Sequence, residues 1–173
     1  VSIYLPASTT AETYHRLGRQ TTYVSGVGNY TDFADFPTQD MTTTLQRFFL
    51  STIDVLAKKN TRAIVTIGDS ITDGFASTVD ANNRWPDQLA ERLLGEGRSR
   101  KLSVVNEGIS GNRTLNNEIG PNGLSRANRD IVAQTGAAFV TLLLGINDIG
   151  FPNIDFGGTF PFADQEVSAD DII

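Results

Sequence analysis

The apolar positions along this chain change rhythm near residue 60. Before it they fall in short runs among Thr, Ser, Tyr and Phe, separated by polar turns. Residues 1–5 alternate in strand fashion and stop at Pro6. Residues 20–25 form a second β-prone run, closed by Gly26, Val27, Gly28 and Asn29. Residues 49–56 set Phe49, Ser51, Ile53 and Val55 against Leu50, Thr52, Asp54 and Leu56, an alternation that predicts a strand. A helical spacing through Leu45, Phe49, Ile53 and Leu56 competes with it. No long helix interrupts these runs. Residues 1–60 therefore read as a β-rich accessory segment, part of a β-sandwich-like unit whose earlier strands are expected to precede Val1.

Residues 61–173 follow a different plan of strand, loop and helix, repeated. A β-branched apolar run at 63–67 predicts a buried strand. Residues 85–94 predict a helix: Pro86 suits the first turn, Asp87 favours the positive amino end, and Gly95 stops it. Trp85, Leu89 and Leu93 share one face of it. A second strand is expected at 102–106. A helix is expected at 124–135, with Leu124, Ala127 and Ile131 inward and Gly136 at its end. The continuous apolar run at 139–144 predicts a central strand buried on both faces. Strands separated by helices imply right-handed crossovers and a parallel sheet, hence an α/β domain. At the end, Ser168 reads as an N-cap, Asp170 and Asp171 as an acidic first turn, and Ile172 and Ile173 as the first apolar positions of a helix. One helical turn is marginal in water, so the domain is expected to continue past Ile173.

Charge and composition narrow the partners. The net charge of −6 is spread along the chain, which argues against nucleic-acid backbones and anionic membrane surfaces. There is no cysteine, which excludes disulfides, zinc-thiolate sites and cysteine nucleophiles. No apolar stretch approaches the roughly 20 residues that span a bilayer.

Chemistry concentrates at the three expected strand ends. The first gives Gly68-Asp69-Ser70. The second gives Asn106-Glu107-Gly108-Ile109-Ser110-Gly111-Asn112-Arg113. The third gives Gly145-Ile146-Asn147-Asp148. In a parallel sheet these loops leave the same edge, so Ser70, Gly111 and Asn147 can converge. A serine hydroxyl attacks an ester carbonyl once a base takes its proton. The oxyanion that follows needs donors, and the Ser70 N–H, the Gly111 N–H and the Asn147 amide are of the right kind. Asp69 and Asp73 read as residues that bond nearby amides and shape the turn, not as a metal pair. Asp148 is expected to buttress the Asn147 loop. Arg113 suits either an acidic or sugar substrate or an ion pair with Asp69 or Glu107. The aromatic, glycine-rich segment 150–164 suits either a wall that sets acyl preference or plain packing. The turn Gly68-Asp69-Ser70-Ile71-Thr72 lacks the second glycine of the Gly-x-Ser-x-Gly elbow.

On these residues the chain resembles the GDSL, or SGNH, hydrolase superfamily. Gly68-Asp69-Ser70-Ile71 is similar to the first motif block, with Ile71 in place of its leucine. Gly111 within Ser110-Gly111-Asn112 matches the glycine of the second, and Gly145-Ile146-Asn147-Asp148 matches the Gly-x-Asn-Asp of the third. The resemblance spans roughly residues 61–150. It implies a flavodoxin-like three-layer sandwich with a parallel sheet. It also implies an esterase, lipase or deacetylase without metal or cofactor, acting on a small-molecule or carbohydrate ester, in which Ser70, Gly111 and Asn147 take the roles above. The β-rich segment resembles the accessory domain of larger secreted bacterial members, which implies an extracellular or periplasmic location. The fourth block, Asp-x-x-His, is absent from these residues, and the one histidine, His15, precedes the serine. The base and its carboxylate are therefore expected from the C-terminal remainder of the same protein, in one chain or as a second. The alternative reading is a non-catalytic fragment or a carbohydrate-binding protein that lacks the triad histidine.

Overall fold

The structure, a computed structural model, describes residues 1–95 and 101–173. The chain divides into two compact units. The first comprises Val1–Ile53 together with Thr78–Asn82. It holds four short strands: β1 (Tyr14–His15), β2 (Thr22–Val24), β3 (Thr42–Thr44) and β4 (Arg47–Phe48). β1 pairs antiparallel with β4, and β2 with β3. Tyr14 faces Phe48 across the first ladder, with ring centroids 5.6 Å apart, the kind of cross-strand aromatic pair that supports so short a ribbon. Asp80 secures the second ribbon by accepting hydrogen bonds from Thr21 N–H at 2.7 Å and Thr21 Oγ1 at 2.6 Å.

The β-prone run at 20–25 thus forms a strand, whereas those at 1–5 and 49–56 do not. Residues 1–5 have no ladder partner, and an alternating pattern without one leaves its backbone groups unpaired. At 49–56 the break is local. Phe49 has φ of 59°, a left-handed conformation that ends an extended run, and the competing helix is interrupted by the same residue.

The second unit comprises Asp54–Ser77 with Asn83–Ile173. Its elements in order are β5 (Arg62–Gly68), α1 (Ser70–Asp73), α2 (Trp85–Gly95), β6 (Leu102–Gly108), α3 (Gly123–Ala127), β7 (Ala137–Leu143), α4 (Ile146–Gly150) and α5 (Ala169–Ile172). A π turn at Asn128–Val132 extends α3. The three strands form one parallel sheet in the order β6-β5-β7, with Gly68 in register with both Gly108 and Leu143. First strand central, second and third to either side: this is the start of the flavodoxin-like order, and the α/β class read from the sequence holds.

Among the described residues the strand with a neighbour on each side is β5, and the apolar run of 139–144 pairs on one side only. Ala63, Val65, Thr66 and Ile67 are buried, and α1 and α2 pack on β5 and β6. On β7, Phe139 is 56% and Leu142 65% exposed. A continuous apolar run shows that a strand suits two covered faces; which strand is covered depends on where the helices land. The expected inward face of 124–135 is corrected as well. Leu124 is 71% exposed, while Gly123, Arg126 and Asp130, spaced i, i+3, i+7, are buried. The buried guanidinium takes the place of an aliphatic stripe because it has polar partners at the sheet edge, described below. α5 has the expected cap: Ser168 and Asp171 form a capping box. No helix of the described residues is long and apolar enough to cross a membrane.

Candidate active site

Because the sheet is parallel, β5, β6 and β7 release their loops at one edge. In this strand order the chain direction switches between β5 and β7, where open α/β sheets form their binding crevice. Ser70 follows β5 directly. Asp69 is the N-cap of α1 and accepts the Ile71 N–H at 2.9 Å, and the left-handed Gly74 closes the helix by donating to Ser70 O at 3.0 Å. The single turn holds Ser70 at its first position, half-buried.

The loop after β6 is stitched to that turn. A side chain at Gly108 would place its Cβ 2.2 Å from the backbone nitrogen of Asp73, so glycine lets the strand end touch α1. Asn106 Nδ2 donates to Thr72 O at 2.8 Å. Asp73 accepts from Ser110 N–H at 3.1 Å and from Ser110 Oγ at 2.6 Å. Next comes Gly111, at φ of 80°, with Ile119 Cδ1 2.8 Å from where a Cβ would sit. The loop after β7 closes the group. Asn147 Nδ2 donates to Asn112 O at 2.9 Å, and Asp148 accepts from Thr114 N–H at 2.9 and 2.8 Å and from Thr114 Oγ1 at 3.1 Å.

Gly111 is therefore bracketed. Ser110 is bonded to the helix that carries Ser70, and Asn112 is bonded to Asn147. Among the described residues no hydrogen bond engages the backbone N–H of Ser70 or Gly111. Asn147 uses one Nδ2 hydrogen on Asn112 and has a second to offer. The arrangement gathers a hydroxyl and several unengaged N–H donors at one sheet edge, the equipment of acyl transfer.

Residues 66–160, more than half of the chain, match the model of the GDSL-like Lipase/Acylhydrolase family. The chain belongs to this family. No curated protein sequence matches it. Among solved structures it is similar to AlinE4, an SGNH-hydrolase family esterase, at 26% identity and a TM-score of 0.42, over 54% of this chain and 44% of that one. It is also similar to the W215I form of Axe2, an acetyl xylan esterase from Geobacillus stearothermophilus, at 25% identity and a TM-score of 0.42, over 64% of this chain and 49% of that one. The chain thus spans less than half the length of these two proteins.

Several polar groups of the GDSL-like domain act around the three motif residues. Burial pushes the Asp69 carboxyl above its ordinary range, against the hydrogen bond from Ile71 N–H, and the nearby charge of Asp148 adds to the rise. Trp85 Nε1 donates to Thr72 Oγ1 at 3.3 Å, so this half-buried ring braces α1. Arg113 is buried and pairs with Glu118 instead of Asp69 or Glu107. It also donates to Gln165 Oε1 at 2.6 Å, and its guanidinium lies 5.4 Å from the ring centroid of Phe151 and 5.5 Å from that of Phe162. In the segment 150–164 those two rings stack, Phe156 meets Phe162 edge-on while staying largely exposed, and Phe160 is exposed. His15 lies on β1 of the first unit, its Nδ1 3.1 Å from Arg47 Nη2. No group of three or more acidic or histidine side chains suited to a metal occurs among the described residues.

Arg126 escaped the sequence reading. It is buried and bonded to Asp130, Glu107 O, Gly68 O and Asn112, which places it at the sheet edge among the motif loops. The visible signal was an Arg and an Asp four residues apart, on the same face as Gly123.

Proposed function

We propose that this domain carries the nucleophile and oxyanion site of a serine hydrolase acting on carboxylic esters. The observation that supports it best is the bracketing of Gly111, which ties the Ser70 turn and Asn147 to one loop through Ser110 and Asn112. Family membership supports the same reading.

In this mechanism Ser70 Oγ attacks the acyl carbon and gives up its proton to a histidine base. The carbonyl oxygen becomes an oxyanion and accepts from Ser70 N–H, Gly111 N–H and Asn147 Nδ2, fixed donors that need little rearrangement as charge develops. The C–O bond to the alcohol then breaks, the alcohol leaves with the proton held by the base, and an acyl-serine remains. Water, deprotonated by the same base, releases the acid. His15, on β1 with its Nδ1 3.1 Å from Arg47 Nη2, is not assigned this role. This reading requires a histidine base and an orienting carboxylate other than the residues assigned above. The substrate class is a small-molecule or carbohydrate ester.

The test is labelling of the full-length protein by a fluorophosphonate, followed by peptide mapping. A single adduct on Ser70 is expected. Absence of any adduct on a folded sample, or an adduct on another serine, overturns the reading.

A further inference from the structure

We propose that Arg126 is a positioning residue for the oxyanion site, acting through the three loops that carry Ser70, Gly111 and Asn147. The inference rests on the roles given above to those three residues. Arg126 is 1% exposed and sits on α3, away from the motif loops in sequence. Its guanidinium reaches the ends of β5 and β6 and the Gly111 loop directly, and the Asn147 loop through Asn112. Nη2 donates to Gly68 O at 3.0 Å, two residues before Ser70. Nη1 donates to Glu107 O at 2.7 Å, at the end of β6. Nε donates to Asn112 Oδ1 at 3.0 Å, one residue past Gly111, and the carbonyl of that same Asn112 receives the Asn147 amide.

A single rigid, planar group thus sets the separation of the β5 and β6 ends and the tilt of the Gly111 loop. Fork geometry is what the task needs. Three acceptors lie in different directions, and a lysine ammonium, a point charge on a flexible stem, cannot hold them all at fixed angles. The charge is kept in a buried place by Asp130, whose Oδ2 is 2.9 Å from Nη1 and which is also paired with Arg129. Were the side chain only filler, an apolar residue would serve without the desolvation of an ion pair. What the ion pair adds is direction: two strand-end carbonyls and one asparagine side chain accept from one planar group.

The experiment uses the full-length protein with Arg126→Lys and Asn112→Ala. Each kcat on p-nitrophenyl acetate is normalised to the sites titrated by a fluorophosphonate, so that unfolded protein does not count. Misplacing donors by a fraction of an ångström is expected to lower kcat of Arg126→Lys by about 100-fold with KM nearly unchanged. Asn112→Ala, which leaves Arg126 on its other three partners, is expected to lower kcat by about tenfold in the same manner. A boronic acid that forms a tetrahedral serine adduct should weaken in parallel with kcat/KM. A normal kcat per titrated site in either variant, with only the melting temperature reduced, overturns the proposal. If Arg126→Lys does not fold, Asn112→Ala decides by the same criterion. A Ser70→Ala control separates the two levels: turnover surviving that change defeats the hydrolase reading, whereas Ser70-dependent turnover with normal Arg126 and Asn112 variants defeats this inference alone.

Discussion

Asn147 donates its side-chain amide to the main-chain carbonyl of Asn112 at 2.9 Å, so the third motif loop is fastened next to the glycine of the second. The bond orients the amide plane and directs the remaining Nδ2 hydrogen. Asn147→Ala removes both the donor and the fastening. It is expected to lower kcat by about 10²–10³-fold in the full-length protein while KM changes little. Steady-state kinetics on an acetyl ester checks this, and an equal loss in KM and none in kcat would assign Asn147 to ground-state binding instead.

The two loop glycines fail in different ways when given a side chain. At Gly108 a Cβ meets backbone, 2.2 Å from Asp73 N, and nothing there can rotate aside. At Gly111 it meets the end of the Ile119 side chain at 2.8 Å, on a backbone at φ of 80°. Gly111→Ala should therefore lose about 1–2 kcal/mol, the left-handed strain of an alanine, and be partly relieved by Ile119→Ala. Gly108→Ala should lose more and gain nothing from that second change. Urea denaturation of the four variants orders these effects.

Asp148 is a structural carboxylate for the Thr114 turn. It is buried and accepts from the Thr114 N–H and hydroxyl. Asp148→Ala leaves that half-buried N–H without its carboxylate partner and should destabilise by roughly 1 kcal/mol. Asp148→Asn keeps an acceptor and should lose less, which thermal melts of the two variants would distinguish.

Two buried aspartates give opposite pH signatures. Asp69 has its carboxyl raised by burial, so the folded state holds the proton more tightly than the unfolded chain. The stability it contributes is complete below the unfolded value and is lost as pH rises through the folded one. Asp69→Asn, which keeps an oxygen for Ile71 N–H, should raise the melting temperature at pH 7 and change it little near pH 3. Burial also acts to raise Asp130, but hydrogen bonds from Arg129 and Arg126 outweigh it and hold the carboxyl below its ordinary range. Its contribution is present above the unfolded value and disappears as pH falls through the folded one. Asp130→Asn should therefore destabilise at pH 7, with the difference shrinking in acid. A stabilising Asp130→Asn at neutral pH would contradict the pairing.

What could be read from the sequence follows the range of each interaction. β5, α2 and the three motif loops are written locally, in short apolar runs, a Pro86 and Asp87 helix start and glycines at strand ends, and the structure forms them near the expected places. Two features depended on distant partners. The run 139–144 carries the composition of a central strand, and among the described residues it pairs only with β5; a strand's neighbours are not encoded in its own residues. Arg126 looked like a helix-surface charge, since its acceptors at Gly68, Glu107 and Asn112 lie 58, 19 and 14 positions away along the chain. Phe49 marks a third limit: alternation predicted a strand, and one left-handed residue ended it.

The proposed role of Ser70 is that of nucleophile in an ester hydrolase whose oxyanion donors are gathered around Gly111. Its most direct test is hydrolysis of p-nitrophenyl acetate by the full-length protein and by its Ser70→Ala variant, with circular dichroism on both. That role requires hydrolysis by the first, loss of essentially all of it in the second, and superimposable spectra. Undiminished hydrolysis by a folded Ser70→Ala protein would contradict it.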